Sequence, residues 1–109
     1  KYRKDLRDNS KISFPVQDKN YLSSNHLFLI NIKNFSKNKK DKFISYMKSK
    51  KIFLQYHYIP IYNFKIFKDK YINKKSEVYY NTTLSLPIYY SLSAKEQNYV
   101  INCIKNYFK

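Results

Sequence analysis

The chain contains no glycine in its 109 residues, and this absence restricts the turns that it can make. Glycine adopts positive φ angles without a steric penalty, so any left-handed turn here must use Asn, Asp or Lys at some cost. A P-loop and a dinucleotide-binding fingerprint both need glycines where the backbone approaches a phosphate. The sequence therefore excludes both of these phosphate-binding loops.

Size and charge set the broad class of the protein. A chain of 109 residues fits one domain, and its 43% apolar content indicates a globular fold. The net charge of +15 could mark a nucleic-acid or membrane partner. However, lysine supplies 20 of the 22 basic residues, whereas base and phosphate recognition relies on the arginine fork. We therefore assign most of the charge to solvated faces and keep a basic nucleic-acid-binding module as the alternative function.

Residues that carry chemistry are few. One cysteine and two histidines cannot build a structural zinc site, so we predict no metal site. Cys103 could pair with His57 as a nucleophile, but it lies beside the apolar stripe of the last predicted helix, where a packed thiol is expected. Ser85 lacks the flanking glycines of a nucleophile elbow. The sequence nominates no catalytic and no cofactor-binding residue.

The cellular location is predicted from what the sequence lacks. A single cysteine cannot form an internal disulfide, so nothing suggests an oxidising compartment. No apolar run approaches the ~20 residues that a transmembrane helix needs, and no apolar segment follows residues 1–4 as in a signal peptide. We expect a cytoplasmic protein without a membrane partner. Because the chain does not begin with Met, we also expect it to be a piece of a longer protein.

Hydrophobic periodicity predicts three strands and several helices. The predicted extended segments are residues 26–32, 52–58 and 84–89. The predicted helical segments are residues 1–8, 37–50, 76–83 and 93–107, with a short helix or aromatic loop at 62–71 and an unpacked connection at 11–25. This order predicts an α+β fold, a small antiparallel sheet of about three strands with helices packed on it.

Several side chains refine these elements. Apolar residues on both faces of segment 26–32 predict a central strand that is covered on both sides. Ser36 and Ser76 are predicted N-caps, and Ser93 with Glu96 fits a capping box. The predicted buried stripe of helix 37–50 is Phe43, Ile44 and Met47, with Lys40, Lys42 and Lys48 outside.

Residues 55–62 (Gln-Tyr-His-Tyr-Ile-Pro-Ile-Tyr) form the stretch around which the chain is organised. Pro60 cannot donate to a strand ladder and keeps the preceding residue extended, so a strand is predicted to stop there. His57, Tyr58 and Tyr62 would then lie at a strand end, where side chains can meet a ligand. The residues alone leave two interpretations open: a ligand site, or aromatic packing around a histidine with satisfied hydrogen bonds.

Three segments resemble the C-terminal small domain of the DegT/StrS group, the PLP-dependent sugar-nucleotide aminotransferases of fold type I. Residues 24–30 (Ser-Asn-His-Leu-Phe-Leu-Ile) are similar to the strand that opens this domain. Residues 52–62 are similar to the family's HY-x-P segment, and residues 84–89 (Leu-Ser-Leu-Pro-Ile-Tyr) to its SLPLYP segment, followed by a helix start like its LT-x-E. The variant at residues 55–62 is most similar to the branch that makes pseudaminic-acid precursors.

The resemblance implies that two domains of a complete enzyme have different roles. Residues 1–22 would be the end of a linking helix and a connector, and residues 23–109 the small domain. A large domain elsewhere would bind pyridoxal 5'-phosphate, and glutamate would supply the amino group to a nucleotide-linked 4-keto-6-deoxy sugar. His57 and Tyr58 would donate to the substrate, while Pro60 and Tyr62 would shape the wall of the cleft. A homodimer is implied for the full-length enzyme, and a fragment that is inactive alone.

Some positions depart from the family pattern. Lys51 precedes the second strand where the family usually has glycine, and a left-handed turn there would cost roughly 1 kcal/mol relative to glycine. Tyr90 stands where the family often has proline. The sequence also lacks the Schiff-base lysine domain, so a truncated remnant that serves only as a packing unit is a third possibility. His26 is expected to anchor its strand, and Ser85 and Pro87 to set backbone geometry.

Overall fold

The protein is described here by a computed structural model that covers residues 1–20, 22–67 and 72–109. The helices are α1 (Tyr2–Leu6), α2 (Lys37–Ser49), α3 (Lys74–Thr82) and α4 (Ala94–Tyr107), with a 3-10 turn at Ile61–Asn63. The strands are β1 (Ile12–Ser13), β2 (Phe28–Ile32), β3 (Gln55–Tyr56) and β4 (Thr83–Leu86). The predicted aromatic spacing that reaches Tyr71 falls partly outside the described residues.

The strands form one antiparallel sheet in the order β1-β2-β4-β3. This confirms the predicted α+β fold, with four strands where the sequence indicated about three. The prediction that residues 11–25 hold no packed element is wrong at β1, where buried Ile12 pairs with Ile32. A strand of two residues offers no alternation from which it could be recognised.

The helices pack on one face of the sheet. Ile30 and Ile32 of β2 and Leu84 of β4 are fully buried on this face. The helical side chains that join them in the core are Tyr2, Leu6, Phe43, Met47, Val100, Ile101 and Ile104. The hydroxyl of Tyr2 donates to the backbone oxygen of Pro87 at 3.0 Å, so the first helix is part of the core. The boundary at residue 22 stays a prediction.

Aromatic rings form much of the contact between α2 and the end of α4. The ring of Phe43 has its centroid 4.8 Å from that of Tyr107, 5.3 Å from Phe108 and 6.0 Å from Phe35. Phe43 has no exposed surface. Tilted ring pairs at these separations are favourable beyond the area that they bury, so Phe43 is the centre of the contact between the two helices.

The second face of the sheet carries Leu29, Gln55 and Ser85, which the strand register places side by side. Leu29 is half-buried and Gln55 is exposed. Ser85 and the neighbouring His57 are buried on this face, so among the described residues β2 is covered there only in part, where the sequence predicted cover on both sides. We call Leu29, Gln55, Ser85 and His57 the second face.

Strand β3 is shorter than the predicted segment 52–58. The amide of Ile52 donates to the carbonyl oxygen of Met47 at 3.0 Å, at the end of α2, and is not available to the ladder. Ile52 and Leu54 are nevertheless buried, as their alternation predicts. Strand β4 ends at Leu86, immediately before Pro87, and is therefore shorter than the predicted segment 84–89.

Two of the three predicted N-cap residues cap a helix in the structure. The Ser36 side chain accepts from the amide of Lys39, and Ser93 with Glu96 forms the predicted capping box. Ser76 was predicted as a cap and is not one. Helix α3 begins earlier, because the Asn73 side chain accepts from the amide of Ser76 at 3.1 Å. Asparagine caps as well as serine does, and local sequence does not choose between them.

Lys40 corrects the prediction for helix α2. It was placed outside with Lys42 and Lys48, but only 1% of Lys40 is exposed. The reason is helical spacing, since residues 40, 43 and 47 lie on one face of the helix. Lys42 and Lys48 are exposed as predicted.

Left-handed turns use the residue types that a glycine-free chain has to use. Asn25, Asn34 and Lys51 have φ angles of 52°, 58° and 62°. At positive φ the Cβ atom of any residue other than glycine clashes with the backbone. Asparagine offsets part of this penalty because its short polar side chain can form local hydrogen bonds, and lysine does not. Lys51 is therefore the most strained of these positions, and it is the one where the resemblance implies that glycine is usual.

We expect Lys51→Gly to raise the free energy of unfolding by roughly 1 kcal/mol, because glycine removes the Cβ clash at positive φ. Urea unfolding followed by circular dichroism measures the change. The matched control is Lys48→Gly, an exposed lysine inside α2, which should lower stability by about 1 kcal/mol. If both substitutions destabilise the chain equally, the left-handed turn at residue 51 is not strained.

Candidate functional site

The chain bends sharply where β3 ends. Residues 57–59 leave the sheet, and Pro60, with φ of −56°, precedes the 3-10 turn at Ile61–Asn63. Pro60 is buried, whereas Tyr58 is 72% exposed. The buried Pro60 therefore fixes the backbone of the bend, and the Tyr58 side chain extends from it into solvent, as the pattern of residues 55–62 indicates.

His57 lies behind this bend and not on its surface. Its imidazole is 4% exposed, its Nε2 is 2.7 Å from the Ser85 hydroxyl oxygen, and its ring packs edge-on against Tyr58. Its Nδ1 has no hydrogen-bond partner among the described residues. Burial lowers the pKa of His57 below its ordinary value, so the ring is neutral at pH 7. The imidazole thus lies buried against Ser85 in the second face. The resemblance instead implied that His57 would be available to donate to a substrate.

A cleft of about 440 Å³ lies beside the bend. It is lined by Tyr58, Pro60, Lys75, Ser76 and Tyr79. The cleft therefore offers one ammonium group, three hydroxyl groups and the faces of two phenol rings. This combination suits a polar, anionic ligand that also presents a flat ring, because lysine and hydroxyl groups bind phosphate oxygens and aromatic faces stack on rings.

Tyr62 holds the wall of the cleft in place and does not line it. Its half-buried hydroxyl donates to the Glu77 carboxylate at 2.9 Å and contacts the Asn73 carbonyl oxygen at 3.2 Å. Burial and the hydrogen bond to Glu77 raise the pKa of Tyr62. These bonds tie the 3-10 turn to the start of α3, so Tyr62 fixes the bend relative to the helix that forms the opposite wall.

Three lining residues were not found from the sequence. Lys75, Ser76 and Tyr79 all lie on α3. Their spacing of 3 and 4 residues places them on one side of the helix, which is a weak signal that many exposed helices share. Nothing local indicated that this side faces Tyr58, because only the packing of α3 beside the end of β3 brings residues 58 and 79 to the same cleft.

A second cavity of about 440 Å³ lies at the opposite end of β3. Its polar lining includes His26, Lys50, Lys51, Gln55, Glu96 and Tyr99. Glu96 is engaged in the capping box, and hydrogen bonds from Ser93 lower its pKa. His26 is exposed and lines this cavity two residues before β2 begins. Its anchoring of the strand stays a prediction. Cys103 is buried in α4, as expected for a packed thiol.

An antiparallel sheet with its helices on one face defines a small α+β domain, and the polar cleft beside the end of β3 is its candidate ligand site. The DegT/DnrJ/EryC1/StrS aminotransferase family model matches residues 1–105. The chain belongs to this family, as the three resembling segments predicted. No helix among the described residues has the length and apolar character to cross a membrane.

Solved structures share the fold. The chain is similar to the aminotransferase PseC of Helicobacter pylori, involved in the biosynthesis of pseudoaminic acid, with a TM-score of 0.86 and 24% identity over 98% of this chain. It is also similar to S. venezuelae DesV (TM-score 0.82, 20% identity, 99% of this chain) and to the putative sugar aminotransferase Spr1654 of Streptococcus pneumoniae (TM-score 0.82, 20% identity, 96% of this chain). The chain spans 30%, 29% and 27% of these three proteins.

The described residues do not fit pyridoxal 5'-phosphate by themselves. The cofactor needs a lysine amine for its Schiff base and a charged partner for its ring nitrogen. Lys75 opens on the cleft, but the described residues that line the cleft include no carboxylate. Lys40 is buried and donates to a backbone carbonyl. The cofactor would therefore have to be held by another part of the protein.

Proposed function

We propose that the chain is the C-terminal part of a cytoplasmic, pyridoxal phosphate-dependent aminotransferase. The complete enzyme would transfer the amino group of glutamate to the keto carbon of a nucleotide-linked 4-keto-6-deoxy sugar, with the cofactor as electron sink. This chain binds the nucleotide sugar and does not hold the cofactor, so it is inactive alone. We also propose that the complete enzyme is a homodimer.

The observation that carries this proposal is the composition of the cleft beside Tyr58. A nucleoside diphosphate sugar presents a pyrophosphate, several hydroxyls and a flat base, and the cleft presents an ammonium, three hydroxyls and two phenol rings. Tyr58 donates its hydroxyl toward the sugar or the pyrophosphate. Pro60 and Tyr62 shape the wall, Pro60 directly and Tyr62 through its bond to Glu77.

His57 completes the proposed set of substrate-binding residues. A buried ring nitrogen without a partner is unusual and costs about 1–3 kcal/mol. Nδ1 of His57 is such a nitrogen among the described residues. We propose that the substrate satisfies this nitrogen when it occupies the complete enzyme, and that the Ser85 bond to Nε2 sets the tilt of the ring. The sugar specificity proposed is that of a UDP-linked 4-keto-6-deoxy-N-acetylhexosamine, in line with the pseudaminic-acid branch that residues 55–62 resemble.

The proposal is tested on the full-length gene product that contains residues 1–109. With pyridoxal phosphate, glutamate and the UDP-4-keto sugar, we expect release of 2-oxoglutarate in an amount equal to the amino sugar formed. Residues 1–109 alone serve as the inactive control. Absence of turnover together with tight, salt-sensitive binding of duplex DNA would instead support the basic nucleic-acid-binding module.

A further inference from the structure

Lys40 is a buried cation that the proposed function does not yet use. Its side chain belongs to α2, on the face of the helix that also carries Phe43 and Met47, and only 1% of it is exposed. It is the only lysine buried among the described residues. A buried ammonium is costly unless it is paired or hydrogen-bonded, so its contacts identify what it stabilises.

The ammonium group of Lys40 is held by two tyrosines. Nζ donates to the backbone carbonyl oxygen of Tyr80 at 2.6 Å and lies 3.5 Å from the centroid of the Tyr80 ring. It also lies 4.5 Å from the centroid of the Tyr56 ring. The two rings stack, with centroids 5.7 Å apart. Both ring contacts are within the range of cation–π attraction, which is stronger where water is excluded.

These two tyrosines belong to the elements that form the two walls of the cleft. Tyr56 is the last residue of β3, two positions before Tyr58. Tyr80 directly follows Tyr79 on α3, the helix that supplies Lys75, Ser76 and Tyr79 to the opposite wall. One ammonium therefore joins the end of the strand to the last turn of the helix, and the cleft lies next to this junction.

We propose that Lys40 is a positioning residue that sets the separation of the two cleft walls and thereby the affinity of the cleft for the diphosphate of the nucleotide sugar. The proposal rests on the proposed function for the identity of the ligand. Lys40 does not touch the cleft, since it is absent from the residues that line it. It acts through Tyr56 and Tyr80.

The charge of Lys40 makes this role sensitive to pH. Burial lowers its pKa to about 8, opposed by the carboxylates of Asp41 and Glu77 and assisted by Lys37. Burial also raises the pKa of the Tyr56 and Tyr80 phenols, so both stay neutral in this range. A group with a pKa of about 8 is about nine-tenths charged near pH 7 and about one-tenth charged near pH 9. The attraction to the rings is present below the pKa and lost as pH rises through it.

The test measures binding of UDP to the full-length gene product by calorimetry near pH 7 and near pH 9. We expect Lys40→Met to weaken UDP binding about tenfold near pH 7, since it removes the cation and the hydrogen bond while keeping an unbranched side chain that is only one atom shorter. The wild-type affinity should fall more than that of Lys40→Met between the two pH values. Lys42→Met is the matched control, because Lys42 is exposed on the same helix, and it should behave as wild type.

A Lys40→Met protein that binds UDP with wild-type affinity and wild-type pH dependence overturns the proposal. If that variant does not fold, Tyr80→Leu, which removes one ring and keeps the carbonyl, takes its place, and unchanged UDP affinity has the same meaning. If the wild type does not bind UDP at all, that result contradicts the proposed function and leaves the role of Lys40 to a test without ligand. The role of Lys40 is then decided by hydrogen exchange, which must increase at residues 56–60 and 75–80 in Lys40→Met and not in Lys42→Met.

Discussion

Replacement of Phe43 by alanine is expected to lower the free energy of unfolding by about 3–5 kcal/mol. Phe43 is fully buried and its ring contacts those of Phe35, Tyr107 and Phe108. Truncation removes all three ring contacts at once and leaves a cavity that the stiff neighbouring rings fill poorly. A domain of this size has about 5–15 kcal/mol of stability in total, so the expected loss is a large fraction of it.

Denaturant unfolding of the Phe43→Ala chain, followed by circular dichroism, measures this loss. Phe53→Ala is the matched control, because Phe53 is 66% exposed and surface substitutions usually change stability by less than about 0.5 kcal/mol. Equal midpoints for the two variants would show that α2 and α4 are not held together by the Phe43 cluster.

Replacement of His57 by alanine in the full-length gene product should lower kcat/KM by about tenfold to hundredfold, which corresponds to about 1.4–2.7 kcal/mol of transition-state stabilisation. The substitution removes the nitrogen that we propose for substrate binding and the ring that packs on Tyr58. It also leaves the buried Ser85 hydroxyl without its partner. We therefore expect both a slower reaction and a higher KM.

The control for this prediction is His26→Ala, since His26 is the exposed histidine of the chain and lies outside the cleft. Its kinetics should match those of the wild type. Ser85→Ala separates the two roles of His57, because it removes the hydrogen bond and leaves the imidazole. Unchanged kinetics in folded His57→Ala protein would remove His57 from the substrate-binding residues.

Local features of the fold were predicted well because short-range physics determines them. The capping box of Ser93 and Glu96 is formed by residues three apart. The lack of glycine implied asparagine, aspartate or lysine at positive φ, and Asn25, Asn34 and Lys51 are found there. Strand β1 was missed because two residues carry no periodic signal, and Ser76 was mistaken for a cap because Asn73 could serve equally well.

The candidate site could be predicted only in part. Residues 55–62 correctly marked the bend, with Tyr58 exposed on it. The same pattern did not indicate that His57 would turn inward, because its partner Ser85 is 28 residues away. Nor did it indicate Lys75 and Tyr79, whose position depends on where α3 packs. The roles of His57, Tyr58, Pro60 and Tyr62 toward a substrate remain predictions.

By itself, the sequence determined the helices, most of the strands, the bend before Pro60 and the family, since each depends on residues close together along the chain. It did not determine that β3 ends at Tyr56, four residues before Pro60. The tertiary structure alone decided which side chains meet. Lys40 was assigned to solvent, and only the sheet order and the packing of α2 against α3 bring its ammonium to a carbonyl 40 residues away. The physical reason is that a long side chain at the border of a buried stripe can reach either water or a pair of rings. The choice depends on partners that no local pattern specifies.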